Sequence, residues 1–309
     1  MQTTARGSLL LACVVAVAVA QAPSPAPPPL DPAPLYVESS IVNAASPAAG
    51  GLAPNTLATI YGQYLSDVTR SVTSDDIRAG VLPTVLPGTG VRVLIGGQPA
   101  PLLFVSPRQI NFVVPSTILP GATEIRVGKA SRYGPAVRVV LRDEAPALFL
   151  KDPEFAVATR GTELLTAETE ASAGELLTLY ATGLGVTNPR PEDGQIVRLA
   201  APLVRTAEFR LELEGIEVPA RDILYAGLAP GFAGLYQVNV RLPELRGRNP
   251  EIRMGFGNVM SPSGVRLHAS PRQPGAATER PRLQLDLFQE RYAPNSVFRH
   301  AYFAPGGLR

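Results

Sequence analysis

Short apolar runs, separated by turn residues, recur along the chain from about residue 37 to residue 268. The clearest run covers residues 109–115, where Ile110, Phe112 and Val114 alternate with a second set of residues that begins with Gln109. A period of two places alternate side chains on opposite faces of a β-strand, so we predict a strand with one apolar face here. The proline that ends the segment fits a strand end, where no ladder hydrogen bond has to be donated.

About seven such runs occur in each half of this region, which is the number of strands in an immunoglobulin-like sandwich of about 100 residues. In the first half they lie near residue 41 and at residues 57–61, 91–95, 102–105, 110–114, 125–127 and 137–141. In the second half they lie at residues 155–158, 176–180, 209–213, 223–225, 236–240, 252–256 and 265–267. The runs are punctuated by 28 glycines and 32 prolines, which favours strands and turns over long helices. The pattern predicts an all-β fold.

The two halves also resemble each other in sequence. Residues 109–115 (QINFVVP) recur as residues 237–243 (QVNVRLP), and residues 56–61 (TLATIY) recur as residues 175–180 (ELLTLY). The order of these segments is kept, and the second copy has a longer loop at about residues 226–234. Repeated segments in the same order indicate tandem copies of one structural unit. We therefore predict two tandem immunoglobulin-like β-sandwiches related by an internal repeat, at residues 37–145 and 146–269.

Residues 1–20 have the organisation of a signal peptide. Arg6 supplies a positive start, residues 9–19 form an apolar run, and Ala18, Val19 and Ala20 form a small-residue cleavage signal. We predict cleavage after Ala20 and a protein that is secreted, periplasmic or on the cell surface. The run is shorter than the roughly 20 apolar residues that span a bilayer, and no later segment approaches that length, so no transmembrane segment is predicted in the mature chain.

An alternative for the leader is lipid attachment at Cys13, because residues 10–13 resemble a lipobox. Against it, the apolar run continues well past Cys13, where a lipoprotein would turn polar.

Two segments flank the predicted sandwiches. Residues 21–36 are rich in proline and alanine, which is typical of an extended, semi-rigid spacer; a ligand for a groove that recognises proline-rich segments is the alternative. Residues 270–309 are predicted to be a linker followed by an aromatic, arginine-rich tail. The tail either docks on the second sandwich or binds a partner in the cell envelope.

Composition and charge narrow the chemistry. A net charge of +2 over 309 residues does not favour a nucleic-acid partner. The one cysteine, Cys13, lies in the leader, so the predicted mature chain has neither a disulfide nor a reactive thiolate. The two histidines, His268 and His300, have no aspartate or serine at a recognisable triad spacing and are too far apart in sequence for a zinc motif. We predict a non-catalytic protein without a cofactor or a metal ion, and interpret His268 as a surface or strand-end residue.

Several of these segments together resemble a known family, the uncharacterised C-terminal domain of secreted acidobacterial proteins (the Solibacter-type domain), which is related to IPT/TIG immunoglobulin-like modules. The resemblance covers roughly residues 40–268. It is carried by residues 41–46 (IVNAAS), 52–62, 82–84, 99–101, 105–107, 109–111, 145–149, 174–185 and 225–239. It implies an exported, β-rich, non-enzymatic module of unknown role, and it transfers no catalytic or ligand-binding residue.

The best candidates for binding are the repeated amides Gln109, Asn111, Gln237 and Asn239. Two amides on one strand face are suited to hydrogen-bonding a sugar or a peptide. Alternatively they satisfy buried polar groups within the fold, a role that their presence in both copies favours.

These features predict an exported interaction module that binds an envelope protein or a polysaccharide. The alternatives are a secreted glycan hydrolase that uses carboxylates, for which no local spacing is required, and a purely structural spacer.

Overall fold

The computed structural model describes residues 32–46 and 51–271, which belong to one compact unit that begins at Pro32. The predicted leader, most of the predicted spacer and residues 272–309 of the predicted tail lie outside these ranges. Within them, no helix has the length and apolar character of a membrane span. Four short 3-10 helices occur at Glu38–Ser40, Ser74–Asp76, Thr206–Glu208 and Ala220–Asp222.

The remaining elements of the described residues are β-strands. Those of the first half are β1 (Ile41–Asn43), β2 (Leu57–Tyr61), β3 (Arg70–Ser71), β4 (Val91–Ile95), β5 (Gln98–Pro99), β6 (Leu102–Val105), β7 (Gln109–Val113), β8 (Gly121–Lys129), β9 (Arg132–Tyr133) and β10 (Val137–Leu141). Those of the second half are β11 (Ala147–Leu148), β12 (Ala158–Arg160), β13 (Glu163–Leu164), β14 (Ala171–Ser172), β15 (Leu176–Thr182), β16 (Ala201–Pro202), β17 (Phe209–Leu213), β18 (Ile216–Glu217), β19 (Ile223–Leu228), β20 (Tyr236–Arg241), β21 (Ile252–Phe256), β22 (Val259–Met260) and β23 (Ala269–Ser270).

Strands β1–β10 form the first sandwich. One sheet has the order β1-β2-β7-β6-β3 and the other β10-β8-β4-β5, with β9 paired to β8. Alternation along β7 sends Ile110 and Phe112 into the core, where both are completely buried, and Val93 and Val127 of the second sheet are buried in the same cluster. Burying such side chains stabilises the sandwich by about 1.5–3 kcal/mol each.

Strands β11–β23 form the second sandwich. Its larger sheet has the order β13-β12-β15-β20-β19-β16, with β11 also paired to β15, and the facing sheet has the order β18-β17-β21-β22. Strands β14 and β23 pair in parallel as a separate two-stranded sheet. Leu179, Val238, Leu211 and Met254 are buried in this core. The predicted run at residues 265–267 is wrong as a strand, because only isolated bridges form there, through Arg266.

The internal repeat is visible in the strand pairing. The order β2-β7-β6 of the first sandwich corresponds to β15-β20-β19 of the second, and the pairs β4–β5 and β4–β8 correspond to β17–β18 and β17–β21. The register agrees as well, since Thr59 lies opposite Asn111 and Thr178 lies opposite Asn239. The prediction of two related, tandem all-β sandwiches is therefore confirmed.

The two sandwiches meet through a loop of the second one. Asp193 accepts hydrogen bonds from the backbone N–H of Thr117 (3.0 Å), from its hydroxyl (2.8 Å) and from the Ser116 hydroxyl (3.1 Å). The next residue, Gly194, accepts a backbone hydrogen bond from Leu82 at 3.0 Å. Several directed bonds within a few residues hold the loop in one position against the first sandwich.

A second group of contacts joins the sheet that contains β2 to the larger sheet of the second sandwich. The Thr182 hydroxyl accepts a hydrogen bond from the backbone N–H of Leu57 at 2.9 Å and donates one to the carbonyl of Gly234, also at 2.9 Å. Phe232 and Leu235, from the loop between β19 and β20, belong to the same buried cluster as Leu57. The longer loop of the second copy, which the sequence indicates, is thus part of the junction.

Candidate binding site at the junction of the sandwiches

The amides predicted to bind a ligand are largely taken up by hydrogen bonds within the fold. Gln109 and Asn111 are each 8% exposed, and Gln109 Nε2 donates to Asn111 Oδ1 at 2.8 Å. The Thr59 hydroxyl donates to the same oxygen at 3.1 Å. A buried amide oxygen with two donors is satisfied without a ligand.

The second copy repeats this arrangement in part. The Thr178 hydroxyl donates to Asn239 Oδ1 at 3.2 Å, and Asn239 is half-buried whereas Gln237 is buried. The two pairs of amides lie in different sandwiches and do not form one site. Their role in binding stays a prediction.

The junction itself forms a cleft of about 340 Å³. Its lining is mostly aliphatic and comes from both sandwiches: Pro54, Ile118 and Leu119 from the first, and Leu184, Val186 and Val204 from the second. Leu119 is 78% exposed and Val204 is 60% exposed. Large apolar side chains that converge on one concave surface are typical of a binding site, whereas scattered ones are normal on any surface.

Four residues of the lining are charged: Asp143, Glu144, Arg190 and Arg205. Arg205 forms an ion pair with Glu144 at 2.5 Å and a second one with Glu208, and its guanidinium carbon lies 5.2 Å from the centre of the Phe256 ring. The hydrogen bond from Arg205 lowers the pKa of Glu208, and the two carboxylates raise the pKa of Arg205. These partners hold the guanidinium group of Arg205 in place at the cleft.

A smaller cleft of about 300 Å³ adjoins the first at Arg190, which lines both. Arg190 donates a hydrogen bond to the carbonyl of Ser116 and so holds the wall between the two clefts to the first sandwich. The second cleft contains Gly80, Arg198 and Leu199, and Leu199 is strongly exposed. The apolar surface of the junction therefore extends on both sides of Arg190.

His268 is not a surface residue. It is 6% exposed, precedes β23 and stacks on Phe155 with ring centroids 3.7 Å apart and an interplanar angle of 2°. Its Nδ1 is buried without a hydrogen-bond partner, and burial lowers the pKa of the imidazole. In the described ranges, no three His, Cys, Asp or Glu side chains lie close enough together to hold a metal ion.

The sequence did not indicate the junction cleft. Its residues come from segments near positions 54, 118–120, 143–144, 184–190 and 204–205, which no local pattern connects. The sequence feature that could have indicated the cleft is the occurrence of single aliphatic residues, such as Leu119 and Val204, in segments that otherwise have the composition of loops.

No protein-family model and no curated protein matches the chain. The resemblance to the Solibacter-type domain thus stays a prediction.

Distant similarities to solved structures were found. SGBP-B from the Bacteroides ovatus mixed-linkage glucan utilization locus, solved with a mixed-linkage heptasaccharide, is 11% identical with a TM-score of 0.31; the match covers 78% of this chain but only 45% of that one. Domains 5-6 of the S-layer protein SbsC are 10% identical with a TM-score of 0.24, over 76% of this chain and 99% of that one. The tandem Ig repeats of Dlar are 10% identical with a TM-score of 0.19, over 78% of this chain and 96% of that one. Since these TM-scores are below 0.5, the fold is assigned here from the strand pairing.

Proposed function

We propose that the protein is an exported, non-catalytic binding module, and that its ligand is an extended apolar segment of another envelope or secreted protein. The observation that carries the proposal is the junction cleft, in which exposed Leu119, Val186 and Val204 converge from two sandwiches. Burying a leucine or valine side chain contributes about 1.5–3 kcal/mol, so the three exposed side chains together contribute about 4.5–9 kcal/mol before the cost of association, and further contacts of the bound segment add to this.

A peptide fits this lining better than a polysaccharide does. Among the described residues that line the cleft, none has an aromatic side chain on which a sugar ring would stack. The charged residues of the lining are Asp143, Glu144, Arg190 and Arg205, and Glu144 and Arg205 are paired with each other. The hydroxyl groups of a bound sugar chain would need more hydrogen-bond partners than this lining offers.

The test is a binding screen with the purified protein against an array of apolar peptides and a panel of polysaccharides. Leu119→Asp and Val204→Asp are compared with Val140→Asp, a matched control at an exposed valine of β10 outside both clefts. We expect binding of apolar peptides that the two cleft variants weaken at least tenfold, because tenfold corresponds to about 1.4 kcal/mol, less than the burial of one aliphatic side chain.

Two outcomes would contradict the proposal. Peptide binding that is equally strong in the cleft variants and in Val140→Asp would place the site elsewhere. Polysaccharide binding without peptide binding would show that the ligand is a polysaccharide and not a peptide segment.

A further inference from the structure

The internal repeat places equivalent residues at the same end of both sandwiches, but one of these ends is buried and the other is exposed. Tyr180 at the end of β15 lies opposite Gln237, and Tyr61 at the end of β2 lies opposite Gln109. Tyr180 is 6% exposed and belongs to the buried cluster that contains Leu57 of the first sandwich. Tyr61 is 43% exposed. Among the residues that the structure describes, the fold therefore covers this end of the second sandwich with the first sandwich and leaves Tyr61 exposed at the same end of the first one.

The open end is apolar. Leu35, Tyr64 and Val68 are exposed, as Tyr61 is. Leu35 pairs with Gln63, which lies between Tyr61 and Tyr64 in the sequence. We call these four side chains the Tyr61 face. Isolated apolar residues are common on protein surfaces, but here three come from the end of β2 and the residues that follow it, and the pairing with Gln63 brings Leu35 to the same segment.

The backbone at Tyr64 is an independent observation. Its φ is +56°, in the left-handed region that large side chains rarely adopt. A glycine at this position would relieve the strain. The chain has a tyrosine there instead, and its side chain is exposed.

We propose that the Tyr61 face docks a second copy of this chain, in the way the first sandwich already covers Tyr180 within one molecule. In the second copy, the surface that contacts the Tyr61 face is the end of the second sandwich opposite to the end that carries Tyr180. By the register of the repeat, Leu57 and Val113 correspond there to Leu176 and Arg241, both half-buried. Each molecule thus offers one face of each kind, and the contact is head-to-tail.

The chemistry of the two faces is compatible. Leu176 can cover the apolar part of the Tyr61 face, and a guanidinium group such as that of Arg241 is attracted to the face of a tyrosine ring. The head-to-tail contact does not involve the junction cleft, so it is separate from the proposed ligand site.

The test is sedimentation velocity of the purified protein over a wide concentration range. The wild type should form species larger than a dimer as concentration rises, because a head-to-tail contact does not close after two copies. Tyr61→Asp removes one face and Leu176→Asp removes the other, so each variant alone should be monomeric, with association at least tenfold weaker. A 1:1 mixture of the two variants retains one intact contact and should form a dimer and nothing larger. Val140→Asp is the control and should assemble like the wild type.

Tyr64→Gly separates docking from folding. It relieves the left-handed strain, so its melting temperature should be equal to or above that of the wild type, while its assembly should weaken. A wild-type protein that stays monomeric at every concentration would overturn the proposal. Variants that assemble like the wild type would also overturn it. If the wild type dimerises but the mixture of variants forms no dimer, the contact is symmetric and not head-to-tail, which contradicts the proposal as well. Binding of a polysaccharide by the Tyr61 face of a monomeric chain would also overturn it.

Discussion

Asp193 of the second sandwich accepts hydrogen bonds from both the backbone N–H and the hydroxyl of Thr117 in the first. This pair fixes the loop that carries Arg190, and Arg190 forms the wall between the two clefts. The shape of the candidate site therefore depends on a contact between sandwiches and is not a property of either one alone.

Asp193→Ala should destabilise the junction. The change removes the acceptor of three hydrogen bonds, and bonds to a charged group contribute about 1.5–3 kcal/mol when buried, so we expect a loss of about 1–2 kcal/mol at this partly exposed position. Calorimetric unfolding is the measurement, with Asp75→Ala, at an exposed aspartate in a short 3-10 helix, as the control. Equal melting temperatures for the two variants would show that the Asp193 contacts do not stabilise the junction.

Gly194→Ala should lower the free energy of unfolding more than Gly215→Ala does. Gly194 and Gly215 both have φ of +73°, but a Cβ on Gly194 would lie 2.6 Å from Pro101 Cγ, whereas nothing lies within 4 Å of one on Gly215. The left-handed backbone alone costs an alanine about 1–2 kcal/mol, and the steric overlap should add about 1–3 kcal/mol.

Urea denaturation of both variants measures this difference directly. A Gly194→Ala variant no less stable than Gly215→Ala would mean that the loop moves away from Pro101 easily, and the junction would then not be held in one position.

Asn111→Ala should destabilise the protein more than Asn239→Ala. Removing the Asn111 side chain leaves Gln109 Nε2 and the Thr59 hydroxyl without their acceptor in a buried place, at a cost of about 1–3 kcal/mol. The Asn239 side chain is half-buried and accepts from Thr178, so water can replace it and the cost should be below about 1 kcal/mol.

The same two variants test whether the amides bind a ligand. A structural role predicts lower stability with unchanged ligand affinity in the folded protein. Loss of affinity without loss of stability would instead support the binding role predicted for these residues.

Stability should fall between pH 7 and pH 5 because of His268. Burial lowers the pKa of this imidazole below its ordinary value of about 6.5, so the unfolded chain binds the proton more readily than the folded one. The neutral ring thus contributes stability that is present above pH 6.5 and is lost as the pH falls from 6.5 toward the lowered pKa. The charges of Asp152, Glu168 and Glu170 oppose the effect of burial, and Lys151 adds to it.

His268→Phe should remove this part of the pH dependence, because a phenylalanine keeps the stack on Phe155 and does not titrate. Melting temperatures of both proteins from pH 7.5 to pH 5 measure it. Parallel curves for the wild type and His268→Phe would mean that protonation of His268 does not couple to folding.

The sequence was sufficient for the fold because both sandwiches repeat a strong local pattern. The alternation around Ile110 and Phe112 predicts a strand, and its recurrence around Val238 predicts the second copy. The junction could not be predicted in this way, because Asp193 and Thr117 are far apart in sequence and neither position carries a pattern of its own. The burial of His268 could not be predicted for a related reason, since it depends on Phe155, which reaches it from another part of the second sandwich; its position beside a strand end agrees with the sequence.

A methyl NMR titration of the purified protein, labelled at leucine and valine, with an apolar peptide selected on the array decides whether a ligand binds between the two sandwiches. We predict that the signals of Leu119, Val186 and Val204 shift together with one dissociation constant while that of Val140 stays unchanged. Saturable shifts confined to residues outside the junction, or no shift with any apolar peptide, would contradict a ligand site between the two sandwiches.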